Sequence, residues 1–214
     1  PKSGTTTLVS ALKSTGHFCF GGQKEPNYYC RNLLPDYKWA DTFEDYQALY
    51  KNCDSEKILV DASIATIYSR EALLEIKNAT EHPKFLVVVR NPIEMGISLH
   101  SFLYSIAHEN ISKFESALAQ IPERRLGQNI PDSCRVPFYL DYVNCVMVSR
   151  RINYLKNIFG SDAICIVTFE DLITSQHSVL NAIFEFLGLE FRSIDLAPKW
   201  ENQTVRLNDS FLHK

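Results

Sequence analysis

The apolar residues of the chain follow two alternating periods, one typical of helices and one typical of buried strands. Three short apolar runs predict strands, and the longer stretches around them carry their apolar residues on one helical face. The predicted strands lie at 58–60, 85–89 and 163–169, and the predicted helices at 5–14, 42–51, 69–78, 92–105, 112–120, 142–159 and 175–187. Strands separated by helices indicate an α/β fold, with a central parallel sheet in a three-layer α/β/α arrangement.

The clearest predicted strand is the run Phe85–Val89. Its residues are continuously apolar, which predicts burial on both faces, as in a parallel sheet. The run ends at Arg90, and Pro92 suits the first turn of a following helix. Ligands of open parallel sheets bind beyond the carboxyl ends of the strands, so the residues that follow each strand are the first candidates for function.

The composition is that of an ordinary globular domain, because the 214 residues carry a formal net charge of −3 and 45% of them are hydrophobic. The length predicts a single domain over 1–214. The near-neutral charge argues against a nucleic-acid partner, and no apolar stretch reaches the roughly 18 residues of a membrane span, so no membrane contact is predicted. The six cysteines are scattered without a C-x-x-C pair, which predicts reduced thiols and no metal site.

A first candidate anion site lies at the start of the chain, where Lys2-Ser3-Gly4-Thr5-Thr6-Thr7 opens a predicted helix. The N–H groups and the dipole of a helix start bind anions, Gly4 permits close backbone approach, and Lys2 adds a charge. A nucleoside-triphosphate P-loop requires its Lys after the second Gly of the motif. In this segment Lys2 instead precedes Gly4, which is the only Gly between residues 2 and 7. A well-capped helix with an incidental Lys is the alternative interpretation.

A second candidate anion site follows the strand at 85–89. Arg90 lies where ligands of open sheets bind, and Ser98 follows two turns along the next predicted helix. A guanidinium can bind a phosphate through two donors, and a nearby hydroxyl adds another. The alternative is an Arg paired with a surface carboxylate. Taken together, the two sites suit a nucleotide that carries phosphates at both ends of its ribose.

These motifs resemble those of the sulfotransferases. The segment from Pro1 to Leu8 is similar to their 5′-phosphosulfate-binding loop, and Arg90-Asn91-Pro92 with Ser98 is similar to their 3′-phosphate motif. Segments 167–172 and 183–189 resemble their strand and late helix. The resemblance implies a P-loop-like sulfotransferase fold and 3′-phosphoadenosine 5′-phosphosulfate (PAPS) as co-substrate, without a metal. Its implied ligands are Lys2, Ser3, Gly4, Thr5, Thr6 and Thr7 for the 5′-phosphate, with Lys2 also on the bridging oxygen, and Arg90 and Ser98 for the 3′-phosphate.

The acceptor side of the resemblance begins at Lys24-Glu25-Pro26-Asn27-Tyr28-Tyr29, which is similar to a segment of carbohydrate sulfotransferases. It implies a hydroxyl acceptor on a carbohydrate, with Glu25 as the catalytic base and Lys24 and Tyr28 as substrate-binding residues. His17 and His100 are rival bases, because imidazole titrates near neutral pH.

A second acceptor-side segment, Asp61-Ala62-Ser63, resembles an acidic-x-Ser segment of the relatives and adds Asp61 and Ser63 as candidate substrate ligands. Ala62 stands where some glycan enzymes carry a Lys, and Met95 where an Arg is frequent. Relatives also carry a basic, glycine-containing segment near the C-terminus, which 206–214 lacks. Since the opening turn also needs a strand before it, we expect a domain truncated at both ends, with its first strand missing upstream.

The compartment and the reaction class each have alternatives. The pattern over 114–135 resembles the bacterial branch and predicts a cytoplasmic enzyme. Four Asn-x-Ser/Thr sequons favour the Golgi lumen instead, with an anchor upstream; they lie at Asn78, Asn110, Asn202 and Asn208. For the activity, the alternatives to a sulfotransferase that binds PAPS and releases adenosine 3′,5′-bisphosphate (PAP) are a P-loop-type nucleotide kinase and a catalytically inactive nucleotide-binding module of the same fold.

Overall fold

A computed structural model describes residues 2–191, so that Pro1, the segment 206–214 and two of the sequons, Asn202 and Asn208, lie outside the described residues. The fold is α/β, as predicted. In chain order its elements are α1 (Thr5–Ser14), β1 (Phe18–Cys19), α2 (Phe43–Ala48), β2 (Ile58–Leu59), α3 (Arg70–Ala79), β3 (Phe85–Val89), α4 (Pro92–Ser105), α5 (Phe114–Ala119), α6 (Ile121–Arg124), α7 (Tyr142–Val146), α8 (Val148–Phe159), β4 (Ile164–Thr168), α9 (Phe169–Thr174) and α10 (Gln176–Phe186).

The strands of the described residues pair in parallel. β1 pairs with β2 in the register Phe18 to Ile58, and β3 pairs with β4 from Phe85 opposite Ile164 to Val89 opposite Thr168. Every predicted strand is present. The sequence analysis missed β1, because two residues are too few to show a strand period.

Helices cover both faces of the β3–β4 pair. Val88 packs in a core with residues of α1 and α10, whereas its neighbour Val87 packs with residues of α3 and α8. Successive side chains of a strand point to opposite faces. The two valines therefore lie on opposite sides of the sheet, which gives the predicted three layers and explains why the run Phe85–Val89 shows no polar alternation.

Two of the predicted helices begin at capping residues, and Pro92 lies in the first turn of α4, as predicted. The Thr42 side chain accepts from the Asp45 N–H and the Asp45 carboxylate accepts from the Thr42 N–H, which forms the reciprocal capping box. Asn91 caps α4 by accepting from the N–H groups of Ile93 and Glu94, with Pro92 at the first position. These caps fix the residues at which α2 and α4 begin, and the cap of α4 lies directly after Arg90.

The helix predicted over 142–159 is interrupted. α7 ends at Val146 and α8 begins at Val148, because Met147 between them has a ψ of 56°. Cys145 of α7 and Ile152 of α8 are both buried at spacings that suit one continuous helix. Apolar spacing therefore does not reveal the interruption.

The expectation of reduced thiols is wrong for one pair of cysteines. Cys19 and Cys53 form a disulfide with their Cα atoms 5.9 Å apart, which joins β1 to the segment between α2 and β2. A separation of 34 residues along the chain hides this contact from sequence spacing. Within residues 2–191 no helix is long and apolar enough to cross a membrane, and no three metal-ligating side chains come together.

Candidate active site

In the loop before α1, the backbone at position 4 has a conformation that only glycine suits. Gly4 has a φ of +89°, and a Cβ atom there would lie 2.5 Å from a ring carbon of Phe169. The Gly4 carbonyl accepts from the Leu8 N–H at 3.1 Å, which closes the first turn of α1. Glycine at position 4 therefore lets the Phe169 ring pack directly against the loop. The N–H groups at the start of α1 are donors of the kind that an anion site requires.

Arg90 and Lys2 meet at this loop. The Arg90 Nη1 donates to the main-chain carbonyl of Lys2 at 3.2 Å, and its guanidinium carbon lies 4.4 Å from the centre of the Phe169 ring. Arg90 also pairs with Glu94, which is more exposed, at 3.2 Å. Burial, and then the positive charges of Arg90 and Lys24, hold the pKa of the Lys2 ammonium below its usual value. Cations held together in this way favour an anion between them.

Lys24 connects this loop to the candidate base. Its Nζ donates to the Thr6 hydroxyl at 3.2 Å and to the Glu25 carboxylate at 2.8 Å. The main-chain carbonyl of Lys24 accepts from the Ala62 N–H, which fixes its loop against the segment after β2. One ammonium group therefore lies between the first candidate anion site and the candidate base.

A cavity of about 650 Å³ contains most of the predicted site residues. Its wall includes Lys2, residues 4–7, Lys24, Glu25, Arg90 and Ser98. Both candidate anion sites and the candidate base therefore face one space. Ser3, Tyr28, Asp61 and Ser63 are not part of the lining.

Tyr28 lies in an aromatic cluster instead. Its ring stacks on that of Tyr46 with 5.0 Å between centroids and meets Tyr29 edge-on, and the Arg31 guanidinium lies 4.6 Å from its centre. Tyr28 is 6% exposed. In this position it packs the loop that carries Glu25.

Asp61 and Ser63 also hold that loop. The Asp61 carboxylate accepts from the Tyr46 hydroxyl at 3.1 Å and from the Ser63 N–H at 2.8 Å. The Ser63 hydroxyl in turn accepts from the main-chain N–H of Asn27 at 2.8 Å. Burial raises the pKa of the Asp61 carboxyl above its ordinary value, against the hydrogen bonds that lower it. The chain of contacts ends two residues after Glu25 and positions it.

Replacing Ser63 with Ala should lower kcat roughly 10-fold, because the N–H of Asn27 loses its partner and the turn that carries Glu25 loosens. Steady-state kinetics of the sulfuryl transfer predicted from the sequence measure the loss. Ser63→Thr keeps the hydroxyl and should restore most of kcat; equal losses in the Ala and Thr variants would contradict a positioning role.

The rival histidines lie elsewhere. The His17 Nδ1 is 2.9 Å from the Thr15 carbonyl, and the His100 Nε2 is 2.8 Å from the Ile111 carbonyl. Neither lines the cavity, whereas His108 does. Sequence analysis missed His108, because it lies in a loop after Ala107, whose φ is +58°.

Two further features of this region escaped the sequence analysis. Phe102 and Ile106 line the cavity, and their spacing of four and eight residues from Ser98 is a helical signal that could have identified them. Next to His108, Glu109 and Arg124 form a buried ion pair, with Nη1–Oε2 at 2.6 Å and Nη2–Oε1 at 2.7 Å. Arg124 is among the few buried charged side chains of the described residues, and no local pattern marks it.

Comparisons with known proteins identify the family and the fold of the chain. A family model described as a sulfotransferase domain matches residues 1–207. The crystal structure of a sulfotransferase from Alicyclobacillus acidocaldarius is similar at a TM-score of 0.74 and 20% identity, over 94% of this chain and 83% of that one. The sulfotransferase domain from the curacin biosynthetic pathway is similar at a TM-score of 0.51 and 16% identity, over 90% and 72%.

No curated protein matches the chain significantly. At identities this low the two structures show the fold alone, whereas the family model covers nearly the whole sequence. On that match, the chain belongs to the sulfotransferase domain family.

Proposed function

We propose that this protein transfers a sulfuryl group from PAPS to a hydroxyl acceptor, with Glu25 as the base. The observation that carries the proposal is the hydrogen bond from Arg90 Nη1 to the Lys2 carbonyl at 3.2 Å. It joins the two candidate anion sites into one cationic cleft. A nucleotide with phosphates at both its 3′ and 5′ positions has the charge distribution that such a cleft suits.

The residues present fit that donor. Lys2, the main-chain N–H groups at the start of α1 and the hydroxyls of Thr5 to Thr7 would hold the 5′-phosphosulfate, since they supply several donors and a positive charge. Arg90 and Ser98 would hold the 3′-phosphate, because both line the same cavity. When bound, the donor supplies an electrophilic sulfur attached to a phosphate leaving group.

The side chains have distinct tasks in the transfer. The acceptor oxygen bonds to sulfur while the bond from sulfur to the bridging phosphate oxygen breaks, and PAP leaves with the electron pair. Glu25 takes the acceptor proton, and Lys2 and the loop N–H groups stabilise the charge that builds on the departing phosphate. Lys24, between Thr6 and Glu25, holds the base beside the loop.

Replacing Arg90 with Ala should weaken PAP binding about 10- to 100-fold, because it removes a charged pair of donors from the 3′-phosphate. Titration calorimetry of the purified protein measures this. Glu94→Gln is the matched control: it removes the partner of Arg90 but no phosphate ligand, and should leave the affinity unchanged or raise it. An Arg90→Ala variant with unchanged affinity would assign Arg90 to the surface ion pair alone.

Two experiments test the function itself. Calorimetry should show tighter binding of PAP than of Mg²⁺–ATP; the reverse order would favour the kinase. Transfer of radiolabelled sulfate from PAPS to a panel of hydroxyl acceptors should then be detected. Binding of PAP without any transfer across the panel would instead favour the inactive module.

The acceptor class and the compartment stay predictions. The segment at Lys24 predicts a carbohydrate, and the pattern over 114–135 predicts a cytoplasmic location. The disulfide between Cys19 and Cys53 supports the alternative of an oxidising compartment such as the Golgi lumen, because disulfides are rare in the cytosol. Alkylation of the protein taken from its native source, followed by mass spectrometry, measures whether this pair is oxidised there.

A further inference from the structure

The disulfide between Cys19 and Cys53 lies a short way before the proposed base in the chain. Cys19 is the last residue of β1, and Glu25 follows six residues later. Gly21 between them has a φ of +59°, a left-handed conformation that favours glycine, and Gly22 comes next. The position of Glu25 therefore depends on how this glycine-containing segment after β1 is held.

The residues that follow α2 hold this segment from one side. The Gly22 N–H donates to the Leu49 carbonyl at 3.0 Å. Gly21 lies so close to Leu49 that a Cβ atom on it would be 2.8 Å from the same carbonyl oxygen. Four residues after Leu49, Cys53 returns to the end of β1 through the disulfide. The main chain on each side, the hydrogen bond and the disulfide therefore form a closed ring.

The side of the ring that carries Cys53 has little buried surface. Across residues 41–60, all of which the structure describes, none is buried. Aromatic side chains of α2 contact the ring of Tyr28, and the Tyr50 hydroxyl donates to the Val60 carbonyl at 3.2 Å. Segments with few buried contacts open locally at a low cost in free energy. We therefore expect the covalent bond at Cys53 to contribute much of the order of this segment.

The proposed donor-binding residues have a support of their own. Arg90 follows β3, and its Nη1 donates to the Lys2 carbonyl at 3.2 Å. That hydrogen bond involves no residue of the ring. Glu25, by contrast, lies three residues after Gly22, which closes the ring. Opening the ring should therefore disturb the proposed base and leave the binding of PAP intact.

We propose that the disulfide between Cys19 and Cys53 positions the loop of Glu25, and that its reduction lowers the rate of sulfuryl transfer. This inference rests on the proposed function. Both cysteines are partly exposed, and exposed Asn52 and Asp54 flank Cys53, so a dithiol can reach the bond. The dithiol supplies two electrons and two protons. The S–S bond breaks, each cysteine sulfur becomes a thiol, and the reductant closes into its own disulfide.

Kinetics and calorimetry on the purified protein test the inference. Treatment with dithiothreitol should lower kcat about 3- to 10-fold with the PAP affinity unchanged, and reoxidation should restore kcat. The double variant Cys19→Ser/Cys53→Ser should have the lower kcat from the start and should not respond to dithiothreitol. Cys165→Ser, which removes a partly exposed free thiol, should respond as the unsubstituted protein does. An unchanged kcat on reduction, or a loss of PAP binding together with kcat, would overturn the inference.

Amide hydrogen exchange tests the same inference without turnover. The Gly22 N–H should exchange at least about 10-fold faster after reduction, whereas the Leu8 N–H, which donates to the Gly4 carbonyl at 3.1 Å, should keep its rate. Equal rates at Gly22 in the oxidised and the reduced protein would overturn the inference. If the oxidised protein bound no PAP and transferred no sulfate, the proposed function would fail, and the exchange at Gly22 would still decide whether the disulfide positions the loop.

Discussion

Replacing Glu25 with Gln should lower kcat for sulfuryl transfer by about 10² to 10⁴, the usual contribution of a general base. The Gln side chain has the same size, and its oxygen can still accept from the Lys24 Nζ, which lies 2.8 Å from the carboxylate. The loop should therefore keep its position, and only the group that takes the proton is lost. We expect the affinity for PAP, measured by calorimetry, to stay the same.

The controls for this variant separate Glu25 from other groups. Glu115→Gln changes an exposed carboxylate of α5 that is not part of the cavity wall, and should leave kcat unchanged. His108 lines the same cavity and is the remaining rival base. If His108→Gln lost most of kcat while Glu25→Gln kept it, the base would be the histidine.

Replacing Arg124 with Met should destabilise the protein by about 3–5 kcal/mol, the typical cost of leaving a buried charge without its partner. The side chains of Arg124 and Glu109 are 2% and 0% exposed, and Glu109 also accepts from the Tyr142 hydroxyl at 2.7 Å. Urea unfolding measures the change. The control is the neighbouring Arg125→Met, which breaks an ion pair with Asp141 in which the Arg is half exposed and should cost much less stability than Arg124→Met. Equal losses in the two variants would contradict the assignment of a buried pair.

The ion pair of Glu109 with Arg124 also makes the free energy of unfolding depend on pH. Burial alone would raise the pKa of the Glu109 carboxyl, but hydrogen bonds from Arg124 and Tyr142 outweigh it and bring the pKa to about 2, against an ordinary value of 4.5. The stabilisation is thus fully present above pH 4.5 and is lost as the pH falls toward 2. In Arg124→Met the buried Glu109 carboxyl can take up a proton instead. The difference in unfolding free energy between this variant and the unsubstituted protein should therefore become smaller as the pH falls from 4.5 toward 2. A difference in unfolding free energy that stays the same at every pH would contradict this account.

The spacing of apolar residues predicted those helices and strands that depend mainly on interactions between near neighbours in the sequence. α1 and β3 appear where their apolar residues place them, and α4 begins at Pro92 as predicted, because these signals span only a few neighbouring residues. β1 is too short to carry a period, and the interruption at Met147 leaves the apolar spacing intact. The disulfide joins residues 34 positions apart, and only the folded chain shows that they meet.

The predicted site residues also fall into two groups, those that line the cavity and those that do not. Lys2, Arg90 and Glu25 belong to compact motifs, and the structure brings them to one cavity. Tyr28 and Asp61 belong to equally compact motifs but pack behind the loop, because sequence does not say which side of a loop faces a cavity and which faces a core. Apolar residues that line the cavity, such as Leu34 and Val136, lie far apart in the sequence, and only the folded chain brings them together.

The bond from Arg90 to the Lys2 carbonyl has a consequence for nucleotide choice. Its acceptor is a main-chain atom, so no side-chain replacement at position 2 deletes it. The separation between the two proposed phosphate-binding parts of the cleft is therefore set by the polypeptide itself. We expect selection among adenine nucleotides to depend on how far apart a ligand carries its anionic groups, and only secondarily on how many it carries.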